Sequence, residues 1–382
     1  MTLIKSISGI RGTIGGKVNE GLTPVDAVKF AAAFGTWLIR RNPNAKVKVV
    51  IGRDARISGQ MISDLVSSTL VGLGIDVINL GLSTTPTVEV AVTIEGAHGG
   101  IILTASHNPK QWNALKLLNQ KGEFISGSDG ELVLSIADNE DFDFAEVDDL
   151  GHVTNDDSYL QKHIDAILEL DVINREAIEA ADFSVVVDAV NSTGGIFVPA
   201  ILEALGVKNI TKLYCDPTGE FPHNPEPLPE HLQDLSAKIK ETGADVGFTV
   251  DPDVDRLAMV CEDGSMFGEE YTLVAVADYV LSKTPGSTVS NLSSTRALRD
   301  ITESIGQTYY ASAVGEVNVV TKMKAENAVI GGEGNGGVIY PELHYGRDSL
   351  VGIALFLSLL AEKNMKVSEL RDSYPKYTIS KN

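Results

Sequence analysis

Short β-branched runs alternate along this chain with polar loops and longer helical stretches. Residues 47–51 (VKVVI) form one such run; GRDARISGQ follows, then a helical period up to Gly72–Gly74, then IDVINLG. Residues 184–188 (SVVVD) open the same order, with AVNSTGG, the helical stretch IFVPAILEALG and the strand-like ITKLYC. A third copy starts at 287–291 (STVSN) and continues through LSST, RALRDITESIG and QTYYASA. Each copy reads strand, polar loop, helix, glycine stop, strand. Strands that alternate with helices of roughly 10–15 residues predict α/β architecture. Three copies predict three related α/β domains with mixed, partly parallel sheets. The boundaries fall near 150, 257 and 366, giving domains over 1–150, 151–257 and 258–366. Residues 367–382 are too short for a domain and read as the opening of another. The nearest approach to a linker is the acidic run 137–149.

Composition narrows the class. The chain has 382 residues, and at roughly 100–150 per domain this allows two to four domains. Lys and Arg total 31 against 52 Asp and Glu, for a net charge of −21. A general nucleic-acid or membrane-surface binder needs a basic face, so neither partner is expected. An anionic small ligand stays possible, because a few local cations suffice. No apolar run reaches the roughly 18 residues of a membrane span, and MTLIKSISGIRG has no long apolar signal core. Cys215 and Cys261 are too few for a disulfide framework and read as buried thiols in a reducing cytoplasm.

In open α/β sheets, ligands sit at the carboxyl ends of strands. The first loop of interest is TASHNPKQWNALK, 104–116, after the buried-strand pattern GGIIL. If this segment is extended, Ser106 and His107 point to opposite faces, so His107 is poorly placed as a base for Ser106. The loop reads as a polar turn that presents one hydroxyl, with Lys110 and Lys116 adding positive charge; a Ser/Asn/Pro turn without chemistry has the same composition. The second is VDPDVDRLAMV, 250–260. Extended, it would place Asp251, Asp253 and Asp255 on one face, where three carboxylates repel unless a cation joins them. An EF-hand is excluded, because Arg256 stands where the sixth-position glycine must be and the flanks are strand-like. A hairpin with its turn at Asp263–Gly264 fits, and open positions on the ion suit Mg²⁺ shared with a phosphate. An acidic surface loop is the bland alternative.

The third loop, VIGGEGNGGVIYPELHYGRDS (329–349), is not a dinucleotide loop, because VIYPE does not start a helix. Glu333 and Asn335 between glycines can approach a polyol, while a ligand-free glycine turn is equally consistent. The helix starts later, capped by Asp348. Arg11 among glycines (9–16), Arg53 and Arg56 after a strand, Arg256 and Arg347 complete a set of cations suited to phosphate. FPHNPEPLPEHL, 221–232, reads as an ordered connection with no chemistry assigned. A hydroxyl, a three-carboxylate site, a polyol loop and arginines together point to phosphoryl transfer on a sugar phosphate.

With TASHNP at 104–109, DPDVDR at 251–256 and GEGNGG at 332–337, the chain resembles the α-D-phosphohexomutase superfamily over essentially its whole length. That superfamily includes phosphoglucomutases, phosphomannomutases and phosphoglucosamine mutases. VGE at 314–316 resembles the phosphoglucosamine branch. The resemblance implies interconversion of hexose or hexosamine 6- and 1-phosphates through a phosphoserine and a bisphosphate. Ser106 would be that serine and, with Asp251, Asp253 and Asp255, would hold Mg²⁺. Arg11 would bind the transferring phosphoryl group, and Lys116 and His107 would assist proton transfer. Glu333, Asn335 and Gly336 would hold the sugar, with Arg256 and Arg347 completing the substrate-binding set. Hexose 1,6-bisphosphate would act as activator. The three domains would then carry the phosphoserine, metal and sugar loops in turn around a central cleft, with most of a fourth, phosphate-gripping domain lacking after 366. A non-catalytic sugar-phosphate binder and a metal-dependent phosphatase are the alternatives.

Overall fold

A computed structural model describes residues 1–6 and 9–377. Two compact units account for them: Met1–His163 with Thr218–Phe221, and Ile164–Pro217 with Pro222 onward. The elements of unit 1 are β1 (Ile4–Ser6), β2 (Gly9–Thr13), α1 (Pro24–Arg41), β3 (Lys48–Arg53), α2 (Gly59–Gly72), β4 (Asp76–Leu82), α3 (Thr85–Ile94), β5 (Gly99–Leu103), β6 (Trp112–Asn119), α4 (Gly127–Asn139) and β7 (Val153–Asn155). Helix α5 (Tyr159–Leu168) carries the division between the units.

Unit 1 is built on one sheet in the order β1-β2-β6-β5-β3-β4-β7. Its central strands are apolar at consecutive positions because both faces are covered. Val49, Ile51, Ile101, Leu103, Leu115 and Leu117 join the core with α1, α2 and α4, while Val50, Ile102 and Leu118 join the core with α3. Each such side chain contributes roughly 1.5–3 kcal/mol over exposure. Helix α1 begins at a capping box, Thr23 and Asp26, with Pro24 in its first turn. Two sequence expectations shift here. The acidic run 137–149 is no linker, since Ala145 N–H donates to Gly72 O at 2.8 Å. Strand β7, past the boundary expected near 150, pairs in parallel with β4 as the sheet edge.

Unit 2 contains α6 (Arg175–Ala181), β8 (Ser184–Asp188), α7 (Gly194–Ala204), β9 (Asn209–Leu213), α8 (Gln233–Thr242), β10 (Val246–Val250), β11 (Leu257–Cys261), α9 (Glu269–Lys283), β12 (Thr288–Asn291), α10 (Ala297–Ser304), β13 (Tyr309–Ser312), α11 (Glu316–Glu326), β14 (Ile330–Glu333), β15 (Gly337–Ile339), α12 (Ser349–Lys363) and α13 (Val367–Ser373). They build two four-stranded sheets, β11-β10-β8-β9 and β13-β12-β14-β15. The boundary expected near 257 falls on the first residue of β11, inside the β10–β11 hairpin.

The repeat seen in the sequence is a topological one. In β3-β4-β5-β6, β8-β9-β10-β11 and β12-β13-β14-β15 the first strand lies between the second and third, parallel to both, and the fourth returns antiparallel along the third. Helix α12 is buried from Ser349 through Leu360, its N-terminus capped by Asp348. It packs on α9, α6 and α7, so elements of both unit 2 sheets share it. Residues 367–377, read as the opening of a further domain, are laid against unit 2: Ser368 Oγ donates to Glu262 at 2.5 Å and Tyr374 Oη to Asp278 at 3.0 Å. Residues 378–382 of that expectation lie outside the described residues. Among the described residues no helix is long and apolar enough to cross a membrane.

Candidate active site

The three candidate loops occupy one equivalent place, the hairpin between the third and fourth strands of each repeat. The Ser106 loop joins β5 to β6, the aspartate loop β10 to β11, and the glycine loop β14 to β15. A second device also repeats. At the end of each first strand a short polar side chain accepts from the backbone N–H two residues on: Arg56 to Asp54 at 3.0 Å, Val190 to Asp188 at 3.0 Å, Ser293 to Asn291 at 3.1 Å. In the first repeat Asp54 also accepts from Thr104 Oγ1 at 2.7 Å, and in the third Asn291 Nδ2 donates to Glu333 at 2.7 Å. In the second, Ser192 and Thr193 hydroxyls hold Pro252 O at 2.7 and 2.9 Å. The loop after each first strand thus anchors the hairpin that bears the candidate residues.

In unit 1, Ser106 is 7 % exposed and lies at φ 49°, a left-handed conformation. The loop is therefore a turn rather than an extended segment, and this overturns the argument that separated Ser106 from His107: Ser106 Oγ is 3.4 Å from His107 Nδ1. Arg56 holds the turn. Its guanidinium donates to Pro109 O at 2.8 Å, Trp112 O at 3.1 Å, Asn108 O at 2.7 Å and Ser106 O, and pairs with Asp54 at 2.9 Å. Phe221, from the returning 218–221 segment, covers it at 5.1 Å. So Arg56 organises backbone and is not open to an anion. Lys116, on β6 beside this loop, is 9 % exposed. Arg11 sits on β2, paired with Ala114 of β6, rather than in a glycine turn, and its Nε is buried with no hydrogen-bond partner.

In unit 2, the aspartates converge for a reason other than strand alternation. Val254 turns the chain at φ 64°, and Asp251 Oδ1 accepts from the N–H groups of Asp255 and Arg256, both at 3.1 Å. All three carboxylates are buried, with ligand atoms within 4.8 Å of one another. Buried carboxylates that close repel, and an all-oxygen set of this kind fits a hard divalent cation. Arg256 Nε stands 4.0 Å from Asp255, and its Nη1 reaches Glu226 at 3.5 Å. The glycine loop abuts this hairpin: Leu257 N–H donates to Gly336 O at 3.0 Å, and a side chain at Gly336 (φ 89°) would strike Leu257 O at 2.3 Å.

Arg347 ties the two loops together. It pairs with Asp255 at 2.8 Å, Glu316 at 2.9 Å and Glu333 at 3.0 Å. Burial works against its charge, but Asp255, Glu316, Glu333 and Asp251 raise its pKa well above the ordinary value. Expected at the substrate, Arg347 is turned instead to three carboxylates. A pocket opens over the glycine loop, lined among others by Glu226, Arg256, Glu269, Glu270, Glu333 and Asn335.

Comparison with known proteins decides the family. Residues 4–144, 161–264 and 268–377 match the Phosphoglucomutase/phosphomannomutase alpha/beta/alpha domains I, II and III. A phosphoglucomutase/phosphomannomutase of Thermococcus kodakarensis is 36% identical over 96% of this chain and 80% of its own length. The chain belongs to the phosphoglucomutase/phosphomannomutase family, within the α-D-phosphohexomutase superfamily. A phosphoglucosamine/phosphogalactosamine mutase of Sulfurisphaera tokodaii is 30% identical over 98% of this chain and 80% of its own. The crystal structure of a phosphoglucomutase/phosphomannomutase family protein from Burkholderia thailandensis has a TM-score of 0.85 and 27% identity, covering 99% of this chain and 81% of that one.

Within this phosphohexomutase the 221–232 connection does more than join elements. His223 Nε2 meets Asp188 at 3.0 Å, and Glu226 lines the pocket and pairs with Arg256. Its proline-rich composition hides that, because the contacts are long-range. Asn291 was also missed, and only its place at a strand end could have flagged it; Glu316 stood out only within VGE, with no role assigned. Both cysteines are free, and burial pushes Cys215 up to about 12 and Cys261 to about 11, so neither is a ready nucleophile.

Proposed function

We propose that this chain interconverts hexosamine 6- and 1-phosphates through phosphorylated Ser106, with Mg²⁺ at Asp251, Asp253 and Asp255. The buried aspartate triad, raised on a hairpin equivalent to that of the Ser106 loop, carries this reading. The ion supplies charge neutralisation on the transferring phosphoryl group. In the first half-reaction the bond from phosphorus to Ser106 Oγ breaks and one to a sugar hydroxyl forms. The hydroxyl proton goes to a nearby base, Lys116 or His107, and Arg11 steadies the phosphoryl charge. The bisphosphate then returns its other phosphate to Ser106, and hexose 1,6-bisphosphate primes the enzyme. Glu333 and Asn335 accept sugar hydroxyls. Gly336 gives the loop its close approach, and Arg256 stands at the rim.

The pocket favours an amine: Glu226, Glu269, Glu270 and Glu333 outnumber Arg256. A second reading, hexoses without the amine, is supported by the Thermococcus kodakarensis relative's name. The free thiols suit a cytoplasmic enzyme. The test is intact mass after incubation with hexose 1,6-bisphosphate, together with turnover on glucosamine, glucose and mannose phosphates. Wild type should gain one phosphate that Ser106→Ala does not. Unmodified wild type, or phosphate release without isomerisation, would refute the mutase reading.

A further inference from the structure

We propose that Arg347 carries the state of the aspartate metal site to the sugar-binding glycine loop, so that metal binding tightens that loop. The inference rests on the metal reading above and goes beyond it. Arg347 gives each of three carboxylates one arm of a planar, rigid fork: Nη2 to Asp255, Nη1 to Glu333, Nε to Glu316. Its backbone N–H also donates to Glu316 at 3.3 Å, so the arginine is held at both ends. Asp255 belongs to the metal loop and Glu333 ends β14, at the first residue of the glycine turn. Glu333 in turn accepts from Asn291 Nδ2 and from Gly315 N–H at 3.2 Å.

One guanidinium therefore serves three carboxylates in a buried, weakly screened place. A cation that takes up the charge of Asp255 leaves the guanidinium attracted chiefly to Glu333 and Glu316. Glu333 is then held more firmly, and with it the turn that meets the sugar. A loop ordered beforehand binds more tightly, because less ordering remains to be done on binding. By linkage the sugar strengthens metal binding by the same factor. A lysine would not replace this, since its three donors share one nitrogen and cannot span carboxylates placed at three separate nitrogens of the fork. Arg347 is a positioning residue on this account: it touches loops, not reacting atoms.

Amide exchange with Mg²⁺ alone tests it, with no sugar phosphate present to couple the sites directly. In wild type, Mg²⁺ should slow exchange at 251–256 and also at 334–337, the latter by about fivefold or more, the low end of ordinary coupling energies. In Arg347→Met, Mg²⁺ should still slow 251–256 but no longer 334–337. Arg347→Lys should behave the same way, and it serves should Arg347→Met fail to keep β12 and β14 protected. Protection confined to 251–256 in wild type would overturn the coupling while leaving the metal site standing. No protection anywhere in wild type would overturn the metal reading and this inference with it. Equal protection of 334–337 in wild type and both variants would show that the backbone link from Leu257 to Gly336 carries the effect, and Arg347 would be excluded.

Discussion

Arg56 and Arg347 are both buried, and their partners separate their roles. Arg347 faces carboxylates and so links charged loops. Arg56 faces backbone carbonyls of the Ser106 turn and one carboxylate, Asp54. A carbonyl left without its donor in a dry site keeps its desolvation penalty, and Asp54 would become an unpaired buried charge. Arg56→Met should therefore destabilise unit 1 by about 3–5 kcal/mol, the usual result of breaking a buried pair. Both tryptophans, Trp37 and Trp112, lie in unit 1, so tryptophan fluorescence in urea reads this directly. A shift below about 1 kcal/mol would show that the turn stands without Arg56. The residues of the site could be read in the sequence only as types. Ser106 and the aspartates stood out because a polar cluster followed a buried strand. Their geometry did not, because the left-handed turns at Ser106 and Val254 carry no glycine to announce them.

Strands and helices were legible where a single local cause decides them. β3, β5, β8 and β10 carry apolar runs because both faces of each sheet are covered. β7 escaped notice since all three of its residues are exposed, and backbone pairing with β4 alone defines it. Connections were least legible, and the 221–232 segment shows the reason: its anchor, His223 to Asp188, spans 35 residues. That anchor titrates. Burial opposes the charged imidazole, but the hydrogen bond and charge of Asp188 outweigh it, and the His223 pKa is raised above 6.5. A group whose folded pKa is raised stabilises fully below its unfolded pKa, near 6.5, and loses that contribution as pH rises through the folded value. His223→Gln should thus lower Tm more at pH 5.5 than at pH 8.5. An equal loss at both would mean that the imidazole contributes by packing alone.

At the scale of the whole molecule, net charge and topology act in different ways. A net charge of −21 repels phosphates in general, so on the proposed function attraction comes from placed cations, the candidates being Arg11 in unit 1 and Arg256 in unit 2, rather than from the general field. Topology determines cooperativity. The same four-strand repeat occurs three times, yet there are two compact units, and α12 is the reason within unit 2. It is buried on every face from Ser349 through Leu360, as suits a helix with packed neighbours on every side. Phe356 lies edge-on to Phe248 of β10 at 6.1 Å and to Phe267, after the β10–β11 hairpin, at 5.5 Å, while α12 also packs on α9. Removing that ring opens a cavity that the close-packed neighbours cannot fill, at a cost of about 3–5 kcal/mol. Because α12 serves elements of both sheets, amide protection in β8 and β10 should fall together with that in β12 and β14 in Phe356→Ala. Protection lost in β8 and β10 alone would mean that the two sheets of unit 2 open independently and that α12 is a lid on one of them, not a shared core.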